Sequence, residues 1–113
     1  MIKMLLFKSK HIEPILNGTK VETRRIWKKQ RVKVGSIHQC RTQMLNKESC
    51  FARVRILDVK KQRLNDMTEE EAHREGYQSK HEYLLSFAEI NKLEQLPNDE
   101  LYAVTFEVVK NGQ

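Results

Sequence analysis

Of 113 residues, only 4 are glycine, 2 are proline and 2 are cysteine, and 7% are aromatic. Little glycine and proline beside 39% apolar and 32% charged residues excludes a low-complexity or disordered tail and fits a folded globular chain. No uninterrupted apolar run exceeds that of Met4 to Phe7. A bilayer-spanning helix needs about 20 apolar residues, so no membrane span is expected. The opening Met1-Ile2-Lys3 has no apolar stretch or small-residue cleavage site of a secretory signal, so the expected compartment is the cytoplasm. Cys40 and Cys50 then read as reduced thiols rather than a disulfide. The length predicts one domain, residues 1–113, with one modest core.

Acidic residues are scarce where basic ones are dense. Residues 1–66 hold 17 Lys and Arg against 5 Asp and Glu, whereas residues 67–113 hold 4 against 10, within a net charge of +6. This polarity suggests a basic surface for an anionic partner, with nucleic acid or a nucleotide the usual candidates. Solvated surface lysine is the plainer alternative.

Met4-Leu5-Leu6-Phe7 reads as a buried opening strand. Ser9 precedes a short helix with Ile12, Ile15 and Leu16 on one face, stopped at Asn17-Gly18. Pro14 inside it favours the first turn. A strand follows over Lys20 to Trp27, with Val21, Thr23 and Arg25 on one face and Glu22, Arg24 and Ile26 on the other. Lys28 to Arg31 is an exposed basic loop, Gly35-Ser36 a turn, and Ile37 to Thr42 a strand. From Cys50 to Val59 the period of two is clearest, with Ala52, Val54, Ile56 and Asp58 facing one way and Arg53 and Arg55 the other. Thr68 to Glu71 and Ser79 to Glu82 are two capping boxes that start helices. The first helix ends at Gly76, and the second carries Tyr83, Leu84, Phe87 and Ile90. After a turn at Leu96 to Asp99, Leu101 to Val109 alternates as a closing strand. The order predicts an α+β fold in which strands from both ends close a small barrel with peripheral helices.

His11, His38, His73 and His81 are scattered, and no Cys-x-x-Cys or His-Glu-x-x-His spacing occurs. Neither a phosphate loop nor a dinucleotide glycine fingerprint is present, so no metal and no cofactor are expected. What remains is Gly18-Thr19-Lys20-Val21-Glu22-Thr23-Arg24-Arg25. Residues three apart on a regular strand point to opposite faces, so Lys20 and Thr23 meet only across a turn or bulge, which Gly18 permits.

Gly18-x-Lys20-x-x-Thr23-x-Arg25, the Val34-Gly35-Ser36 turn and Ala72-x-x-Glu75-Gly76-Tyr77 together resemble the ASCH domain, a group within the PUA-like barrels, from Met4 to about Val109. The resemblance implies a small PUA-like β-barrel with peripheral helices and a basic cleft for a nucleoside or RNA. Some stand-alone ASCH proteins are amidohydrolases that remove the acetyl group of N(4)-acetylcytidine. Their functional lysine, threonine and glutamate match Lys20, Thr23 and Glu75.

In that chemistry Thr23 is the nucleophile, Lys20 its base, and Glu75 the carboxylate that orients Lys20 or relays a proton. Lysine serves as a base at neutral pH only if its pKa falls through burial or a neighbouring cation, such as Arg24 or Arg25, and Glu75 opposes that fall. Arg25 or a backbone N–H would stabilise the oxyanion. Arg24, Arg25, Trp27, Lys28, Lys29 and Tyr77 are the candidate substrate- or RNA-binding residues. Trp27 stacks on a base or serves as a core or lid residue; Tyr77 contacts a base or packs a helix end. The alternative function is a non-catalytic RNA-binding module using the same cleft and the Lys28 to Arg31 loop. A protein-interaction role for the acidic half rests on charge alone.

Overall fold

The structure, a computed structural model, describes residues 3–110. Five strands form one sheet: β1 (Met4–Leu6), β2 (Glu22–Arg25), β3 (Ile37–Arg41), β4 (Cys50–Gln62) and β5 (Leu101–Val108), in the order β1-β3-β4-β5-β2. Only β1 and β3 pair in parallel; the remaining pairs are antiparallel. The two edges, β1 and β2, curl towards each other. Arg25 on β2 donates from Nη2 to the Leu6 carbonyl on β1 at 2.7 Å, spanning the seam. The result is an α+β half-barrel whose interior holds Leu5, Ile15, Val32, Cys40, Val54, Ile56, Val104 and Phe106.

Three helices lie outside it: α1 (Ile12–Leu16), α2 (Glu69–Arg74) and α3 (Lys80–Ile90). The last two enclose a second cluster of Leu64, Met67, Ala72, Tyr83, Phe87 and Leu101. No helix among the described residues is long and apolar enough to cross a membrane. Cys40 and Cys50 are free thiols.

Several element boundaries differ from the sequence expectation. The segment from Ser9 opens as a 3-10 turn, Ser9–His11, and α1 begins only at Ile12. This puts Pro14 in the first turn, where a missing N–H costs nothing. The expected strand over Lys20 to Trp27 contracts to Glu22–Arg25, because the chain is still completing the turn out of α1 at Lys20, whose N–H bonds the Pro14 carbonyl at 2.9 Å. Strand β4 runs on to Gln62, and its register against β5 slips between Ile56 and Asp58. That bulge turns Asp58 to solvent, not to the interior beside Ile56. At the second capping box only half forms: Ser79 accepts from the Glu82 N–H at 3.1 Å, but the Glu82 carboxylate does not return to the Ser79 N–H.

Candidate active site

The site lies where the α1–β2 turn meets the end of α2. Both turns have the chemistry they need. Asn17 closes α1, and Gly18 follows at φ +83°, a left-handed conformation that glycine adopts without strain. Helix α2 ends in a Schellman arrangement: Gly76 at φ +95° donates to His73 at 2.9 Å, and the Tyr77 N–H bonds the Ala72 carbonyl at 3.0 Å. Gly76 also admits Lys20, since a Cβ there would stand 3.3 Å from Lys20 Cβ. The Val21 N–H, bonded to the Arg74 carbonyl at 2.8 Å, ties the two turns together.

This docking delivers Glu75, at the C-cap of α2, to Lys20. The Lys20 Nζ donates to Glu75 Oε1 and to the Glu75 carbonyl, each at 2.8 Å, and the two residues are 3% and 2% exposed. Burial pushes the Lys20 amine below its ordinary range; Glu75 opposes this, and Arg25 and Arg24 reinforce it. Thr23 lies on the β2 face that meets Val104 of the interior, is 5% exposed, and accepts from Arg25 Nε at 3.0 Å. Lys20, Thr23 and Glu75 line one small cavity with Arg24, Arg25, His11 and Tyr77, walled by Phe7, Tyr83 and Phe87.

Arg24 is turned inward. Its Nη1 donates to Glu75 Oε2 at 2.9 Å and to Glu22 at 3.0 Å. Its Nη2 donates to Glu71 at 3.1 Å, and Nη2 and Nε both donate to Gln62. These bonds occupy all five guanidinium donors, so Arg24 supports the site and has none left for a ligand. Arg25 sits differently: besides Thr23 and Leu6 it lies 4.8 Å from the centre of the Phe7 ring and keeps free donors at the cavity. Tyr77 reaches the cavity wall, but its hydroxyl is held by Ser86 at 2.7 Å. Trp27 lies outside this cavity, packed on Tyr102 at 5.8 Å between ring centres and lining a neighbouring groove with Arg25, Arg31 and Met44. Lys28 and Lys29 are exposed and line neither.

Four supporting residues carry little sequence signal. Glu22 shares a strand face with Arg24, which the alternation does indicate. Glu71 is visible only as the partner of Thr68 in a capping box, yet it also receives Arg24, Gln62 and Lys60. Burial raises its pKa, but these bonds and the Thr68 N–H bring it down to about 2. Gln62 arrives because Ala103, small and buried, lies between the Arg24 and Lys60 rows. His11 is a solitary histidine in the sequence. Among the described residues no group of three His, Cys, Asp or Glu side chains is placed to hold a metal ion.

The fold has counterparts among solved structures. The crystal structure of an ASCH domain from Lactobacillus crispatus JV V101 superposes with a TM-score of 0.66 at 16% identity, over 95% of this chain and 79% of that one. The fold is that of an ASCH domain. A protein of Enterococcus faecalis V583 assigned to the family model DUF984 gives a TM-score of 0.71 at 21% identity, over 96% of this chain and 80% of that one. No family model and no curated protein matches the sequence. The half-barrel with peripheral helices is therefore shared architecture. In the ASCH fold seen here, the Gly18 to Arg25 segment and the Gly76 turn build one cavity.

Proposed function

We propose that the cavity is the active site of an amidohydrolase acting on an acylated pyrimidine nucleoside of the N(4)-acetylcytidine kind. The observation that carries this reading is the bonding of Lys20. A neutral lysine amine has two N–H donors and one lone pair. Two donors are what Glu75 engages, through its carboxylate and its carbonyl at 2.8 Å each. The lone pair is left for a proton, and burial favours the neutral amine.

Thr23 supplies that proton. Its oxygen accepts from Arg25, which leaves its hydrogen to point elsewhere and stabilises the oxygen as the proton departs. The Thr23 oxygen then adds to the acetyl carbonyl carbon, and the free Arg25 donors face the developing oxyanion. Protonated Lys20 returns its proton to the exocyclic nitrogen as the C–N bond breaks, releasing cytidine and leaving an acetyl ester on Thr23. Water, activated by the same amine, hydrolyses the ester to acetate. Glu75 orients Lys20 throughout.

The test is release of cytidine and acetate from N(4)-acetylcytidine by the parent protein, Lys20→Ala, Thr23→Ala and Glu75→Ala, beside a salt-dependent RNA titration. The expected result is turnover in the parent, with rates lowered by about a hundredfold or more in each variant. No turnover in the parent, with tight salt-sensitive RNA binding, rejects hydrolysis for the binding-module reading. Turnover that survives Thr23→Ala rejects the nucleophile.

A further inference from the structure

His11 lines the cavity and is 8% exposed. It closes the 3-10 turn before α1, and its ring is held edge-on by Phe7 at 6.4 Å and Tyr77 at 6.1 Å between ring centres. Among the described residues no protein group hydrogen-bonds either ring nitrogen. Those nitrogens are not sealed, however. The one enclosed side-chain nitrogen or oxygen without a partner among the described residues is Nδ1 of His38. A buried imidazole whose nitrogens keep an opening and have no protein partner takes its partner from whatever occupies that opening.

We infer that His11 is a specificity-determining residue, accepting a hydrogen bond from an N–H on the planar, uncharged edge of the bound ligand. The cavity's chemistry narrows the assignment. Arg24 and Arg25 have no acceptors, the Lys20 lone pair faces the Thr23 proton in the proposed reaction, Thr23 already accepts from Arg25, and the Glu75 carboxylate is shared between Lys20 and Arg24. His11 is thus a neutral acceptor with no protein partner among the described residues, on a wall it shares with the Tyr83 hydroxyl and the Asn91 amide. Of these three, only the imidazole accepts at an atom that is not also a donor and carries no amide NH2 beside it. Burial, then Lys20, Lys10 and Arg25, lower its pKa from 6.5 to about 3, so the lone pair persists throughout the neutral range. The aromatic walls Phe7, Tyr83 and Phe87 suit a flat heterocycle. An amide or amino N–H attached to such a ring is the group His11 reads. For the substrate class this rests on the proposed function, in which the scissile amide of an N(4)-acylated cytosine carries one such N–H.

Two measurements decide it. With histidine labelled by nitrogen-15, saturating N(4)-acetylcytidine should move the His11 ring resonances of the parent protein. His11→Phe, which keeps ring volume and removes the acceptor, should raise KM roughly ten- to thirtyfold with kcat within about threefold, and His11→Gln should recover part of the loss. Turnover by the parent with unmoved His11 resonances, or with KM unchanged in a folded His11→Phe, overturns the inference and leaves hydrolysis intact. A saturable shift of His11 without turnover supports the inference and rejects hydrolysis. Neither shift nor turnover rejects both. If His11→Phe does not fold, the parent resonances alone decide.

Discussion

Glu75→Gln removes one negative charge from a buried network and keeps the shape of the side chain. In the parent, one carboxylate oxygen takes Lys20 at 2.8 Å and the other takes Arg24 at 2.9 Å. The amide has one acceptor, so either Lys20 or Arg24 faces a donor. Removing one partner of a buried ion pair costs about 3–5 kcal/mol. Two features place this case near the lower end. Arg24 keeps Glu22 at 3.0 Å and Glu71 at 3.1 Å, and Lys20 can release its proton, an escape that a guanidinium lacks. A loss of about 3 kcal/mol lowers the urea midpoint by about 1.5–2 M at an m-value of about 1.5–2 kcal/mol/M. Glu107→Gln is the control, since its 3.4 Å pair with Arg55 is exposed and such pairs contribute at most about 1 kcal/mol.

The same variant has a pH signature. Glu75 is the group that raises the Lys20 pKa against burial, so the amine loses its proton at lower pH in Glu75→Gln. Between that lowered pKa and the ordinary 10.5, the unfolded chain binds more protons than the folded one, and stability rises with pH. The penalty of Glu75→Gln should therefore shrink, not grow, as pH rises towards the ordinary lysine range. Equal midpoints for Glu75→Gln and Glu107→Gln, or a penalty that grows with pH, would refute the reasoning.

Gly76→Ala should destabilise by about 1–3 kcal/mol, since alanine is strained at φ +95° and its Cβ would press on Lys20 at 3.3 Å; thermal melts read the stability and the hydrolysis assay reads the displaced amine. His11 stays neutral down to about 3 while an unfolded histidine charges near 6.5. Its effect is a loss of stability as pH falls through that window, at most about 1.4 kcal/mol per pH unit, and His11→Phe should flatten the slope in urea titrations between pH 4 and pH 6. Thr68→Ala removes a complete capping box and should cost about 1 kcal/mol by denaturation. Burial pushes the Cys40 thiol up to about 12, so a thiol reagent at pH 8 should modify half-buried Cys50 first, with Cys40 reacting only on unfolding.

Local chemistry made most of the fold legible. Gly18 and Gly76 mark the ends of α1 and α2 because each takes a positive φ that other residues resist. The alternation of Val54 and Ile56 marks the interior face of β4 because a strand has a period of two. The bulge at Leu57 was not legible, because it depends on the slip of β4 against β5, a pairing between segments far apart in the chain. In the site, Lys20, Thr23 and Glu75 were named only through the resemblance of their motifs to the ASCH domain, since strand alternation by itself sets Lys20 and Thr23 on opposite faces. Arg24 read as a ligand-facing cation, and its inward turn follows from three glutamates supplied by β2, α2 and the α2 cap, which no local pattern brings together. His11 had no pattern at all; only the cavity gives it a role.

The conflict between a lysine base and its carboxylate neighbour is eased by Arg24. A carboxylate devoted to Lys20 would hold the amine charged and spoil it as a base. Glu75 instead divides its two oxygens between Lys20 and Arg24, so Arg24 offsets much of the charge that Lys20 would otherwise feel while the hydrogen bond that aims the amine is kept. Glu22 and Glu71 in turn hold Arg24 in place, and exposed or half-exposed Arg74 and Lys60 balance them from the surface. Arg24 is in this sense a positioning residue. Arg24→Lys keeps the charge but offers three donors where five are used, and it should shift the acid limb of kcat/KM upward in pH, because Glu75 then acts more fully on Lys20, which must be unprotonated to serve as the base. Arg24→Lys with a lowered rate and an unmoved pH profile would assign Arg24 to folding alone.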